Sequence, residues 1–370
     1  MDLESVLREH GAEACIGCGR CTYACPAAQR SDLFSPRQVV ESIAAGKGVG
    51  EGLWRCVACG QCSARCPAGV DFRELVREVR AQARASIPPV PTHHGVMGLA
   101  RSLSSISSVR PRGGRWVTPD LEIDPDSSVL LFVGCVPYFD AALRHIRDDL
   151  LELPRSAVRL LNAMGTRPRL LDGERCCGHD SYWLGEDDLF DKLARQNVEA
   201  IEAAGVETVV TFCPECHHAL SDLYPRRLGK LGFRVRSLID LVAEAAESGA
   251  LPLTFGNEAI TYQDPCRLSK QAGIVEEPRG VLRRIGRLAE MPRSRESSAC
   301  CGTAGWVNCD PSAKRLQAER LEEARGTGAG TLVTACPKCL IHLSCAKRHH
   351  GTRVRGLEIE DLYVLAARSL

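Results

Sequence analysis

The 370-residue sequence lacks an excess of charge: 47 Lys and Arg face 46 Asp and Glu, a formal net charge of +1. That balance supplies no overall field for nucleic acid and leaves only a local patch open. Long apolar runs are missing too. The longest, such as "VLLFVGCV", fall far short of the ~20 residues that span a bilayer. No secretory leader is visible: "MDLESVLREH" reads as an amphipathic helix without an apolar core segment. No Gly-rich dinucleotide fingerprint is evident, so flavin or nicotinamide is expected on a partner chain. Lysine is scarce, seven of the 47 basic residues, which we attribute to genomic composition. What remains is an ordinary globular composition with room for two or three domains.

Cysteine is the exception, with twenty residues. Disulfides, zinc and iron–sulfur clusters compete for them. The missing leader predicts a reducing cytoplasm, where thiols serve as metal ligands or catalysts rather than bridges.

Eight of them lie in residues 1–85. "CIGCGRCTYACP" (15–26) and "CVACGQCSARCP" (56–67) both read C-x₂-C-x₂-C-x₃-C-P, the run of two-cluster ferredoxins, in which the fourth cysteine serves the other cluster. This predicts one [4Fe–4S] cubane on Cys15, Cys18, Cys21 and Cys66, and a second on Cys56, Cys59, Cys62 and Cys25. Between the runs, Ser35 and Pro36 are placed to cap and start a helix. Residues 86–128 are Pro- and Ser-rich with poor periodicity, and read as a linker draped over a domain or partly mobile.

Residues 129–370 read as a tandem duplication, 129–250 and 251–370. Each half alternates strands and helices, implying α/β layers with at least partly parallel sheets. "TVVTFCPECHHAL" (208–220) aligns with "TLVTACPKCLIHL" (331–343). The first half carries Cys135, Cys176, Cys177, Cys213 and Cys216; the second carries Cys266, Cys300, Cys301, Cys336 and Cys339. Five thiolates are one too many for a plain cube or a zinc tetrahedron. A five-thiolate cluster needs an iron with two thiolates or a thiolate bridging two irons, and the adjacent pairs Cys176–Cys177 and Cys300–Cys301 suit such an open cluster. Spacing alone does not give the nuclearity.

The pattern C-x₃₃₋₄₀-CCG-x₃₄₋₃₅-CPxC, twice, resembles the CCG-domain family of heterodisulfide reductase catalytic subunits. The helical spacer between the ferredoxin runs resembles the α-helical ferredoxin of the same enzymes and of succinate dehydrogenase iron–sulfur subunits. The chain is also similar to iron–sulfur subunits of anaerobic glycerol-3-phosphate dehydrogenase and glycolate oxidase. The resemblance implies a mixed fold: an α-helical dicluster ferredoxin, then two α/β cysteine-rich domains related by a pseudo-two-fold axis. It implies four [4Fe–4S] clusters, two of them cubane and the two on the CCG cysteines non-cubane. In the reductases a disulfide, such as the coenzyme M–coenzyme B heterodisulfide, binds between the two CCG clusters and is split there, one sulfur to each. The implied activity is that of a disulfide reductase subunit, or its reverse. The rival is an electron-transfer subunit that joins a flavin dehydrogenase, acting on a 2-hydroxy acid or glycerol 3-phosphate, to quinone or another carrier. The expected partners are a flavoprotein, a hydrogenase or dehydrogenase, or a membrane cytochrome b, which would hold a cytoplasmic chain at the inner membrane face.

Residues near these motifs carry weaker expectations. Gly178 and Gly302 predict close backbone approach to a cluster. His179, His217, His218 and His342 are candidate proton donors to a departing thiolate, against a packing role. His93–His94 and His349–His350 read as exposed pairs, and Cys309 and Cys345 as buried structural thiols. Arg144, Arg147, Arg267, Arg279, Arg283 and Arg284 are candidates for an anionic substrate, against helix-surface roles.

Overall fold

The computed structural model describes residues 3–109, 114–302, 304–349 and 354–370. His350 lies outside them. The described part before residue 129 contains helices and no strand. The helix Pro36–Ala44 starts where the sequence predicts, with Ser35 Oγ accepting the Gln38 N–H at 3.4 Å. The helix Phe72–Ala83, capped by Asp71, buries Phe72, Leu75, Val76 and Val79 on one face. That stripe meets Val6 and Leu7 of the helix Leu3–Glu9, together with Val40, Ile43 and Leu53. Cys25 and Cys62 belong to this small core.

Two parallel sheets follow. β1 (Val129–Phe132), β2 (Thr208–Thr211) and β3 (Arg234–Ser237) lie in the order β1-β2-β3. β4 (Ala259–Gln263), β5 (Arg287–Leu288), β6 (Thr331–Thr334) and β7 (Glu358–Asp361) lie in the order β5-β4-β6-β7. Every pairing is parallel. A single parallel bridge from Arg169 to Leu130 occupies, beside β1, the place that β5 takes beside β4. Both halves therefore run second-first-third-fourth. The second strand of each half shrinks to that one bridge or to two residues, at an outer edge where Arg169 reaches out to the Ala204 carbonyl at 2.6 Å. The inner strands, "VLLF", "TVVT" and "TLVT", are nearly continuous apolar or β-branched runs, as strands covered on both faces require.

One core runs through both halves. Leu131, Val210 and Phe212 of the first half join Ile260, Tyr262, Leu332 and Val333 of the second. The C-terminal helix Leu362–Arg368 packs on the helix Glu152–Ala163, so the end of the second half closes the first. The linker is draped, as one of the two expectations had it. Its Thr92 N–H donates to the Trp306 carbonyl at 2.8 Å, and Pro91 bridges Val307. Its poor periodicity hid a helix, Val96–Ser104, which buries Met97, Arg101 and Ser104.

Candidate metal centres

The two ferredoxin-type runs adopt twin geometry. Gly19 (φ 74°) and Gly60 (φ 81°) each follow the second cysteine of their run, and each N-caps a short helix that carries the third. Such a left-handed turn is open to glycine at no steric cost. Cys25 is pushed up by burial and then by the charges of Cys56 and Cys59, so the fourth cysteine of the first run sits with the second run. Cys62 shares that environment.

In the first cysteine-rich half, all five thiols converge. Cys135 follows β1 and opens the helix Val136–Leu143. Its Sγ lies 3.0 Å from that of Cys176. Cys213 N-caps the helix Pro214–His218, which carries Cys216, and Cys216 hydrogen-bonds Cys177 and Cys213. Glu174, which the sequence reading passed over, accepts from the Val133 and Gly134 N–H groups at 3.0 and 2.5 Å and so fixes the turn before Cys135. Burial pushes its carboxyl up to about 8.

The second half repeats the arrangement. Cys266 hydrogen-bonds Cys300, and Cys339 bonds both Cys301 and Cys336. In both halves the glycine after the pair donates its N–H to the first thiol: Gly178 to Cys176 at 3.5 Å, Gly302 to Cys300 at 3.4 Å. Both glycines have positive φ, 73° and 92°. A Cβ would meet Phe190 at 2.9 Å in one and Gln317 at 2.7 Å in the other. Within each adjacent pair one thiol is depressed. Cys176 is held well below the ordinary range by hydrogen bonds with Cys135 and Cys177. Cys301 is lowered to about 6 by hydrogen bonds with Cys300 and Cys339. Convergent, mostly buried free thiols, cradled where a Cβ would not fit, suit a thiolate-ligated iron–sulfur cluster.

The centres adjoin one another. Lys338 and Glu215 occupy the third position of their Cys-Pro-x-Cys motifs, and Lys338 Nζ lies 2.8 Å from Glu215 Oε2. It also pairs with Asp180, which follows the first Cys-Cys-Gly by two residues. Burial opposes the ammonium, yet Asp180 and Glu215 hold it well above its ordinary value. Cys336 is raised: its hydrogen bond to Cys339 is outweighed by burial, and the charge of Cys213 across the seam adds to the rise. On the other side, Arg267, next to Cys266, donates to the Ala58 carbonyl at 2.7 Å. Cys59 is close enough to Cys300 to disfavour its charge, and both line a cavity of about 600 Å³.

The histidines are packed into this seam. His179 Nε2 accepts from Trp183 Nε1–H at 3.1 Å. His218 stacks on Trp183, and His342 lies 4.8 Å from Trp306. Each half thus sets a tryptophan after its Cys-Cys-Gly against a histidine after its Cys-Pro-x-Cys, a pairing that the sequence reading missed. Burial pushes His179 well down, His218 to about 4 and His342 to about 3. His217 is lowered by burial and lies 3.3 Å from Thr211 Oγ1.

Several expectations are corrected. His93 is half-buried, 5.8 Å from Trp306, because the linker pins it there, while His94 and His349 are exposed. Cys309 and Cys345 are half-buried rather than buried and line a cavity of about 530 Å³, where Lys314 Nζ lies 3.4 Å from Cys345 Sγ. The suggested arginines have other partners. Arg144 pairs with Asp140, Arg147 with Asp149 and Glu360, Arg279 with Asp264 and Glu290, and Arg283 with Glu276. Arg284 bonds the Ala246 carbonyl, and Arg267 lies over Trp183.

Comparison with known proteins agrees with this geometry. Residues 129–221 and 260–344 match the cysteine-rich domain family CCG, and residues 11–70 match the 4Fe-4S dicluster domain. A polypeptide of the dihydromethanophenazine:CoB–CoM heterodisulfide reductase of Methanosarcina barkeri is 32% identical over 268 residues, covering 69% of this chain and 62% of the relative. A polypeptide of the fumarate reductase (CoM/CoB) of Methanothermobacter marburgensis is 26% identical over 375 residues, 95% of this chain and 72% of the relative. The EtfAB:quinone oxidoreductase of Syntrophomonas wolfei is 29% identical over 242 residues, 61% of this chain and 32% of the relative. The chain spans about three fifths of the length of the heterodisulfide reductase relatives it matches. No described helix is long and apolar enough to cross a membrane. The chain therefore carries a 4Fe-4S dicluster domain and two CCG cysteine-rich domains, and it is similar to the CCG-domain iron–sulfur proteins of heterodisulfide reductase type.

Proposed function

We propose that this chain is an iron–sulfur oxidoreductase subunit that delivers electrons to a disulfide, RSSR′ + 2e⁻ + 2H⁺ giving RSH + R′SH, or runs the reverse. In this reading residues 1–85 hold two cubane clusters on Cys15, Cys18, Cys21, Cys66 and on Cys56, Cys59, Cys62, Cys25. Residues 86–128 link them to two cysteine-rich domains, 129–250 and 251–370, each holding one non-cubane cluster on its five cysteines. When bound, the clusters supply one-electron transfers, two of which match the two electrons a disulfide needs.

The single observation carrying this reading is the Lys338–Glu215 pair, which joins the two Cys-Pro-x-Cys motifs face to face. The matching strand orders support a pseudo-two-fold relation between the halves, and adjacent sites suit a substrate with two equivalent sulfurs. Arg267 and the Ala58 carbonyl tie the second site to the ferredoxin-type half. Burial holds the imidazoles of His179 and His342 down, which favours an N–H hydrogen-bond role over that of an imidazolium proton donor. His217 remains a candidate of the same kind. A partner flavoprotein, dehydrogenase or membrane cytochrome would supply electrons and hold the chain at a cytoplasmic membrane face.

One observation favours an electron relay instead. Met97, Ala100 and Arg101 of the linker helix close over Cys135 and Cys176, leaving a cleft of about 10 Å³. In that reading the chain joins a flavin dehydrogenase to quinone.

Anaerobic protein tests both. We expect about 16 Fe and 16 acid-labile sulfide per chain, and a change in the paramagnetic resonance of the cysteine-rich centres on adding a disulfide. Stoichiometric zinc without sulfide sinks both readings. Full iron with no response to any disulfide or thiol, but rapid reoxidation by a quinone analogue, establishes the relay.

A further inference from the structure

We propose that the mouth of the cleft between the ferredoxin-type half and the second cysteine-rich half is the docking face for an acidic electron-carrier protein. The proposal rests on the reading that electrons enter through the ferredoxin-type half. Of the twenty cysteines, Cys18 alone is exposed, so the first ferredoxin-type set is nearest to solvent at this edge. Two large side chains flank it unburied, Ile16 at 73% and Tyr23 at 83% exposure. Arg20 and Arg65 stand beside them, exposed and lining the cleft. Neither forms an ion pair with another described residue. Lys270 and Arg293, each half-buried, line the same cleft, and no described carboxylate lines it. Inward, the cleft reaches Cys59 and Cys300, which leads from the exposed edge to the second site.

Arginines here have a plainer use, to offset the negative charge of cluster thiolates. That use is served by buried groups. Arg80 donates to the Cys56 carbonyl at 2.6 Å and Arg267 to the Ala58 carbonyl. Water screens Arg20 and Arg65, so they do little for charge held inside. Exposed cations around an apolar and aromatic rim are what a transient protein interface presents, with arginine and tyrosine enriched and charge steering the encounter. Arg293 is paired with Glu323 at 3.2 Å and Lys270 Nζ is held by the Ser298 carbonyl at 2.7 Å, whereas Arg20 and Arg65 are exposed with no ion-pair partner among the described residues, where a protein surface touches.

Stopped-flow reduction of the anaerobic holoprotein tests this, with a reduced acidic [2Fe–2S] ferredoxin as the probe. The second-order rate should fall steeply with added salt. R20E/R65E should lower it at least about tenfold at low salt, and R20Q/R65Q should fall between. Reduction by photogenerated neutral deazaflavin radical should be equal in all three, which also shows that the variants fold and hold their clusters. Equal ferredoxin rates in wild type and R20E/R65E overturn the proposal. So does a rate that rises with salt, or competitive suppression of the ferredoxin rate by millimolar inorganic phosphate at constant ionic strength, which would assign the cleft to a small anion. Disulfide turnover driven by deazaflavin is measured separately. If it is absent while the charge dependence holds, the disulfide reading fails and the docking face stands.

Discussion

Lys338 Nζ lies 2.8 Å from Glu215 Oε2, and each residue sits between the two cysteines of its own Cys-Pro-x-Cys motif. The same position in two repeats carries opposite charges, and at the seam between them Lys338 is buried and Glu215 half-buried. Asp180 adds a second carboxylate to the ammonium. The group of His179, Asp180 and Glu215 has the make-up of a small cation site, and the lysine ammonium is the cation that pairs with its two carboxylates.

Removing the ammonium leaves two carboxylates in a buried place. Lys338→Met should cost about 3–5 kcal/mol of stability and reduce iron in the first cysteine-rich half. The triple variant K338M/D180N/E215Q should recover part of the loss. Anaerobic denaturant unfolding and iron analysis check both.

Gly178→Ala and Gly302→Ala each place a Cβ against a neighbour at a positive φ. Strain of about 1–3 kcal/mol is expected in each. Each variant should lose the resonance signal of its own half and keep that of the other. Loss of both signals in either variant would show that the two sites assemble as one unit.

Cys309→Ser and Cys345→Ser should retain the full iron content of the parent, because neither thiol joins a convergent set. Cys301→Ser should not. Iron and sulfide analysis of the three proteins decides it, and a fall in the first two would add a ligand to the proposed eighteen.

Acid should weaken the fold through its buried imidazoles. In the unfolded chain histidine protonates near pH 6.5, whereas in the fold His218 resists to about 4 and His342 to about 3. The unfolded state therefore binds protons first as pH falls. The contribution to stability is complete above about pH 6.5 and is lost progressively below it, towards pH 3. His342→Phe should make stability less steep in pH between 6.5 and 4, measured by denaturant midpoints across that range.

Much of this was legible in the chain itself. The two ferredoxin-type runs and the apolar strands are local signals, each confined to a dozen residues or so, and the duplicated cysteine pattern shows as a repeat in spacing along the chain. Ser35 and Pro36 announced their helix because capping is decided within one turn. Gly178 and Gly302 were legible for the same reason. Adjacent thiols leave few backbone paths, and only glycine takes the left-handed one freely.

Contacts between distant segments were not legible. Glu215 and Lys338 are unremarkable alone, and only the packing of one repeat on the other makes them a pair. Trp183 and Trp306 carry no motif, yet each covers a histidine once its half closes. The helix Val96–Ser104 lacked periodicity because one face covers the first site while Leu99 and Leu103 stay exposed on the other. Ligand types, their grouping and the alternation of strand and helix depend on spacing along the chain and are written in it. Packing alone sets which cysteine sets are neighbours, which histidines are buried and which described arginines are engaged by carboxylates. Lys338 and Glu215 are more than a hundred residues apart in the chain, and His218 and His342 are covered by tryptophans from another segment of their own half, so only packing joins them.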